Sequence, residues 1–111
     1  MTIDPLLEIK KVYIEFHVNV EMALLDQIIK SPEIITETNQ LAPAEIDNIK
    51  KNQKEISEKA LKFESDYLIS KNKIKTENQL FDLIESMSDI KIMNLRKKFL
   101  VQSINSFVQN G

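Results

Sequence analysis

Residues 5–30 carry the densest apolar run in the chain, and its polar interruptions recur at helical spacing. On a wheel of about 100° per residue, Leu6, Ile9, Val12, Tyr13, Phe16, Val20, Ala23 and Leu24 form one stripe. Leu7, Ile14, Val18, Met22, Leu25 and Ile29 form a second stripe on the opposite side. Glu8, Glu15, Asn19 and Asp26 line one seam between the stripes, and Lys10, His17, Glu21 and Ile28 line the other. A surface helix has one apolar stripe. Two stripes imply a helix central to its bundle, or one whose second face meets another chain. Ile14 to Met22 also alternates apolar and polar without a fault, as a half-buried strand does. No other segment reads as its partner, and a buried lone strand leaves its backbone groups unpaired. Asp4-Pro5 before the run and Ser31-Pro32 after it fit a helix start and a helix stop. The run is therefore expected to be a helix. The strand alternative survives only by edge-to-edge pairing between two chains.

The remaining pattern is helical too. Ser31-Pro32-Glu33 reads as a second start, giving a short helical connection near residues 32–39 that carries Ile34 and Ile35. Pro43 opens a long helix expected over Ala44–Lys71. Its heptad stripe is Ile46, Ile49, Gln53, Ile56, Ala60, Phe63, Tyr67, Ser70 and Ile74, widened by Leu61 and Leu68. The opposite face pairs Asp47 with Lys51, Glu55 with Lys59 and Glu58 with Lys62, four residues apart, as a solvated face does. Asn72 can close this helix in a left-handed conformation. Thr76-Glu77-Asn78-Gln79 matches a capping box and predicts a new helix start. Leu80, Leu83, Ile84 and Met87 form the stripe that follows; Ile92, Met93, Leu95, Phe99, Leu100, Ile104 and Phe107 form the next. One straight helix would set these two stripes about 160° apart. A break is therefore expected within Ser86-Met87-Ser88-Asp89. Asn110-Gly111 suits a helix terminus.

The expected fold is all-α: an antiparallel bundle of three to four main helices with a short helical connection near residues 32–39. Composition supports it. A chain of 111 residues is long enough for one domain, residues 1–111, to bury a core without staples. The single Gly is the last residue and there are only three Pro, so long helices are scarcely interrupted. No internal repeat is visible. Without Cys there is no disulfide framework, thiolate nucleophile or thiolate zinc site. The net charge of −2 argues against a nucleic-acid binder that works by phosphate neutralisation. The start lacks a basic-then-apolar leader pattern, no apolar run approaches a membrane span, and charges punctuate the first helix. A cytoplasmic protein away from membranes is the expectation.

Candidate chemistry is sparse. His17 is the only histidine, with no nucleophile signature beside it. Its place on a seam between apolar faces reads as structural. Metal sites need several His or Cys ligands, or clustered carboxylates at set spacing, and none is present. There is no Gly-rich phosphate loop. No catalytic residue, metal or cofactor is expected. Arg96, the only arginine, falls within the apolar arc of the last helix, between Ile92, Phe99 and Leu100. The simpler reading is that its stem is buried and its head reaches water. The alternative is a buried or interfacial pair with a carboxylate, which suits a guanidinium fork.

These features point away from an enzyme and toward a non-enzymatic protein-binding module. Small helical bundles serve as chaperones, inhibitors, immunity proteins and adaptors, an analogy at the level of fold. The expected partner surface is the second stripe, Leu7, Ile14, Val18, Met22, Leu25 and Ile29, joined by Arg96 if that side chain is interfacial. The competing expectation is a structural homodimer or other homo-oligomer, in which this face meets its own copy.

Overall fold

The computed structural model describes residues 5–30 and 43–110. These residues form five helices and no strand: α1 Pro5–Lys30, α2 Pro43–Lys51, α3 Gln53–Asn72, α4 Glu77–Ser86 and α5 Asp89–Asn110. The all-α bundle read from the sequence is thus present, and Ile14 to Met22 is helical. The short connection expected near residues 32–39, and Asp4 of the expected helix start, lie outside the described residues.

The helix boundaries follow local chemistry. Thr76 Oγ1 accepts the Gln79 N–H at 3.3 Å, while Gln79 Oε1 accepts the Thr76 N–H at 3.2 Å and the Lys75 N–H at 2.7 Å. This reciprocal pairing satisfies donors that a helix start leaves open. The expected break after α4 is there. Met87 is extended and its N–H reaches the Ile84 carbonyl, and Ser88 Oγ then accepts the Lys91 N–H at 3.3 Å to begin α5.

Two boundaries differ from expectation. The helix expected over Ala44–Lys71 is divided at Asn52. The Asn52 amide donates to the Asn48 carbonyl at 2.8 Å, its N–H turns to Ile49 O at 3.1 Å, and the backbone leaves the helical region. A side chain that bonds back to the preceding turn competes with the helical ladder and bends it. Left-handed closure falls on Lys73 and not on Asn72. Asn72 stays helical with its amide on the Leu68 carbonyl. The N–H groups of Lys73 and Ile74 both reach the Ile69 carbonyl, the latter at 3.1 Å. That six-to-one closure sets Ile74 against Ile69, both buried, and this apolar contact offsets the cost of a lysine in the left-handed region.

Helix α3 is the middle of the bundle. It runs antiparallel to both α1 and α5, which flank it and touch each other little. The core has two apolar clusters. In one, Leu24, Leu25, Ile28 and Ile29 of α1 pack on Ile49, Ile56, Ala60, Leu100 and Ile104. In the other, Ile9 and Tyr13 of α1 pack on Leu61, Leu68, Ile69, Ile74 and Leu80. Small residues let α3 and α5 approach closely: Ala60, Ser57 and Ser103 are fully buried, and Ser103 Oγ donates to the Ile56 carbonyl at 2.8 Å. On the outer face of α2 and α3 the three expected acid–base pairs do not close; Lys59 instead donates to Ser106 Oγ.

This packing corrects the reading of α1. Most of its second stripe belongs to the core of the same chain, while Leu7 stays exposed. Leu25 and Ile29 are core residues, and Ile14 and Val18 pack on the second cluster. What turns inward is the seam carrying His17, Glu21 and Ile28, with a stripe on either side of it.

Candidate functional site

Between the two apolar clusters lies a polar layer. Tyr13, His17 and Glu21 follow one another at four-residue spacing on the inner face of α1, so a single helical row supplies three polar heads. Glu64 enters from α3 and Arg96 from α5. All five are buried, at 0–8% exposure. Arg96 is therefore neither snorkelling nor at the surface: the carboxylate pairing posed as the alternative is the one present. Arg96 Nη2 donates to His17 Nδ1 at 2.9 Å. Its Nε lies 3.9 Å from Glu64 Oε2 and 4.0 Å from Glu21 Oε2. The Tyr13 hydroxyl donates to the same Glu64 oxygen.

Protonation states follow from these contacts. A guanidinium only donates, so His17 must accept at Nδ1 and carry its proton on Nε2. Burial, and then the Arg96 charge, hold the imidazole pKa down at about 4, so it is neutral at pH 7. Burial, and then the Glu64 charge, push Glu21 up to about 8, although Arg96 pulls the other way. Burial also raises Glu64, but the Tyr13 hydroxyl and Arg96 both favour its ionised form. Tyr13 is raised by burial and by the Glu64 carboxylate, and stays a phenol. At neutral pH Glu21 is then the protonated member, facing the Arg96 cation together with Glu64. Neither Glu21 oxygen has a hydrogen-bond partner among the described residues to offset the cost of burying its charge.

A pH dependence of stability follows. Glu21 has a raised pKa in the fold, so its contribution is complete below the unfolded value of 4.5 and is lost as pH rises through about 8. His17 has a depressed pKa, so its contribution is complete above 6.5 and is lost as pH falls through about 4. The two oppose each other from 4.5 to 6.5; above 6.5 the imidazole no longer contributes, and Glu64, also raised, acts in the same direction as Glu21. Stability should fall by about 2 kcal/mol between pH 6.5 and pH 8, at about 1.4 kcal/mol per unit. Glu21→Gln should flatten this limb in urea unfolding curves. An equally flat limb in the parent would show that Glu21 is ionised in the fold.

An aromatic string leads from this layer to the surface. The His17 ring lies 4.5 Å from Tyr13 and 5.1 Å from Phe16, and Phe16 meets Phe81 of α4 edge-on at 5.4 Å. Phe16 is 71% exposed, Val20 53%, Met93 40% and Ile90 76%. Val20 and Met93 share the wall of a cavity of about 150 Å³ between α1 and α5, with Ala23 beside them and Arg96 reaching its base. Phe16 is one turn from Val20 and Ile90 one turn from Met93, so these side chains form one apolar patch.

Of the surface residues expected from sequence, Leu7 is exposed on the far side of α1 and Ile14, Val18 and Met22 are half-buried; Leu25, Ile29 and Arg96 are buried. The polar layer was missed because no motif links Glu21, Glu64 and Arg96 in sequence. The available signal was polar residues on an otherwise apolar face. Among the described residues no three His, Cys, Asp or Glu side chains are grouped to hold a metal, and no helix is long and apolar enough to cross a membrane. No protein-family model, no curated protein and no solved structure matches the chain.

Proposed function

We propose that the protein is a non-enzymatic binding module that docks another protein on the apolar patch formed by Phe16, Val20 and Ala23 of α1 with Ile90 and Met93 of α5. The observation that carries this reading is the exposure of four large apolar side chains at one place, around a cavity wide enough for a single side chain. Scattered apolar residues are ordinary on a protein surface, but a contiguous patch marks an interaction site. The groove between two helices suits an amphipathic helix that inserts one apolar residue per turn. The buried polar layer supports this role indirectly. Its hydrogen bonds and charges tie α1, α3 and α5 in one register, and so hold the two walls of the groove at fixed separation. A general acid or base needs a substrate within hydrogen-bond reach, whereas these groups are buried in the core, at 0–8% exposure.

A benzophenone side chain at position 16, with position 58 on the outer face of α3 as control, tests the reading in cells that make the protein. The expected result is a crosslink to one other protein from position 16 only, abolished by Val20→Asp. A crosslink from position 16 to a second copy would replace this reading with self-association. Absence of any crosslink there would overturn it.

A further inference from the structure

A second concave site lies on a different part of the molecule, between the end of α3, the end of α4 and the first half of α5. Its volume is about 340 Å³, at the lower end of the range for small-molecule pockets. Its floor is apolar: Leu68, which is 3% exposed, with Leu83, Leu95 and Met87. Its rim is cationic. Lys71, Lys91 and Lys98 stand around the opening, and no Asp or Glu lines it. The hollow lined by Ile69, Ile74, Lys73 and Lys75 is also free of acids, but this pocket brings three lysines together. The larger hollow beside α2 carries Glu45 and Asp47 against a single Lys51.

The three lysines are not neutralised by neighbours. Among the described residues none of them forms an ion pair; Lys71 donates to the Tyr67 hydroxyl at 2.9 Å. Lys71 and Lys98 also lie 5.3 and 5.7 Å from the centre of the Tyr67 ring. Tyr67 thus stands between two ammonium groups at one wall of the pocket, Lys71 at its hydroxyl and Lys98 near its ring. Their charges lower the pKa of the Tyr67 hydroxyl, after the hydrogen bond from Lys71 itself, with Lys91 adding to the effect. Gathering like charges is unfavourable unless an anion is shared among them, and an apolar floor below the charges selects what that anion carries.

We propose that this pocket binds a small organic anion, with its acidic group held by Lys71, Lys91 and Lys98 and a flat apolar body lying on Leu68, Leu83 and Leu95. Lysine suits the purpose because an ammonium is a point charge that follows a ligand and demands no bidentate geometry. The pocket is remote from the α1–α5 patch in its lining residues and does not depend on the protein-binding reading.

The probe is 8-anilinonaphthalene-1-sulfonate, compared with N-phenyl-1-naphthylamine, the same ring system without the charge. The expected result is saturable one-to-one binding of the sulfonate, with amide shifts at Leu68, Leu83, Met87 and Leu95. Lys91→Gln combined with Lys98→Gln should weaken it about tenfold and leave the uncharged compound unaffected. Both lysines are exposed, so the fold should survive, as circular dichroism will check; Lys91→Gln alone should give a smaller loss in the same direction. Val20→Asp should change nothing at this site. Equal binding of the charged and uncharged compounds, sulfonate binding that is insensitive to the lysines, amide shifts confined to the Phe16 patch, or no binding would each overturn the proposal.

Discussion

Arg96→Leu should lower stability by about 3–5 kcal/mol at neutral pH, the usual loss when one member of a buried charge network is removed. Leucine would fill much of the volume and add apolar contact. The loss would come from what is left behind. Glu64 would keep the Tyr13 hydrogen bond but lose the cation that balances its charge. His17 Nδ1 would lose its donor. The carboxyl groups can escape part of the cost by taking up protons, so the defect should grow with pH. Urea unfolding at pH 5 and pH 7.5 measures both features. Arg96→Lys should fail to rescue, because an ammonium cannot present the donors that the guanidinium directs toward His17 and the two carboxylates. A loss below about 1 kcal/mol at both pH values, the range of exposed pairs, would place the guanidinium in water.

Leu25→Glu should abolish cooperative folding. Leu25 is fully buried in the cluster that joins α1, α2, α3 and α5. Truncating such a leucine costs about 2–5 kcal/mol. Burying a carboxylate without a partner adds several more. The sum is comparable with the net stability of a small domain, about 5–15 kcal/mol. Val18→Asp, at a half-buried site, should be milder, and the double change should unfold the monomer. Val20→Asp, at a position 53% exposed, should stay within about 0.5 kcal/mol of the parent. Circular dichroism melts over a range of protein concentrations separate these outcomes. A Leu25→Glu variant that melts like the parent while losing an oligomer would return the second stripe of α1 to the role of an interface.

The contrast between Leu25 and Val20 shows where a wheel drawn from sequence stops being informative. Both are apolar, both lie in α1, and each belongs to a well-formed stripe. Which stripe faces inward depends on what lies opposite. His17 and Glu21 occupy the seam that a hydropathy argument assigns to water, and they turn inward because Arg96 and Glu64 meet them there. Phe16 and Val20 are rotated outward as a consequence. An i to i+4 row of Tyr13, His17 and Glu21 is visible in the sequence. Its partners, 43 and 75 residues beyond Glu21, carry no local mark.

The sequence alone determined what short-range chemistry controls. The scarcity of Gly and Pro and the 3.6-residue periodicity specify helices. The Thr76–Gln79 box specifies a start, and the change of stripe phase after Met87 specifies a break. These depend on hydrogen bonds between residues three or four apart, so their signals are contiguous. The tertiary structure decided the rest: α3 as the middle helix, the apolar patch around Phe16, and the Lys71–Lys91–Lys98 pocket. Each of these depends on groups brought together from separate helices. Burial energy is set by the surroundings of a side chain in space, and those surroundings are fixed only when the helices have packed.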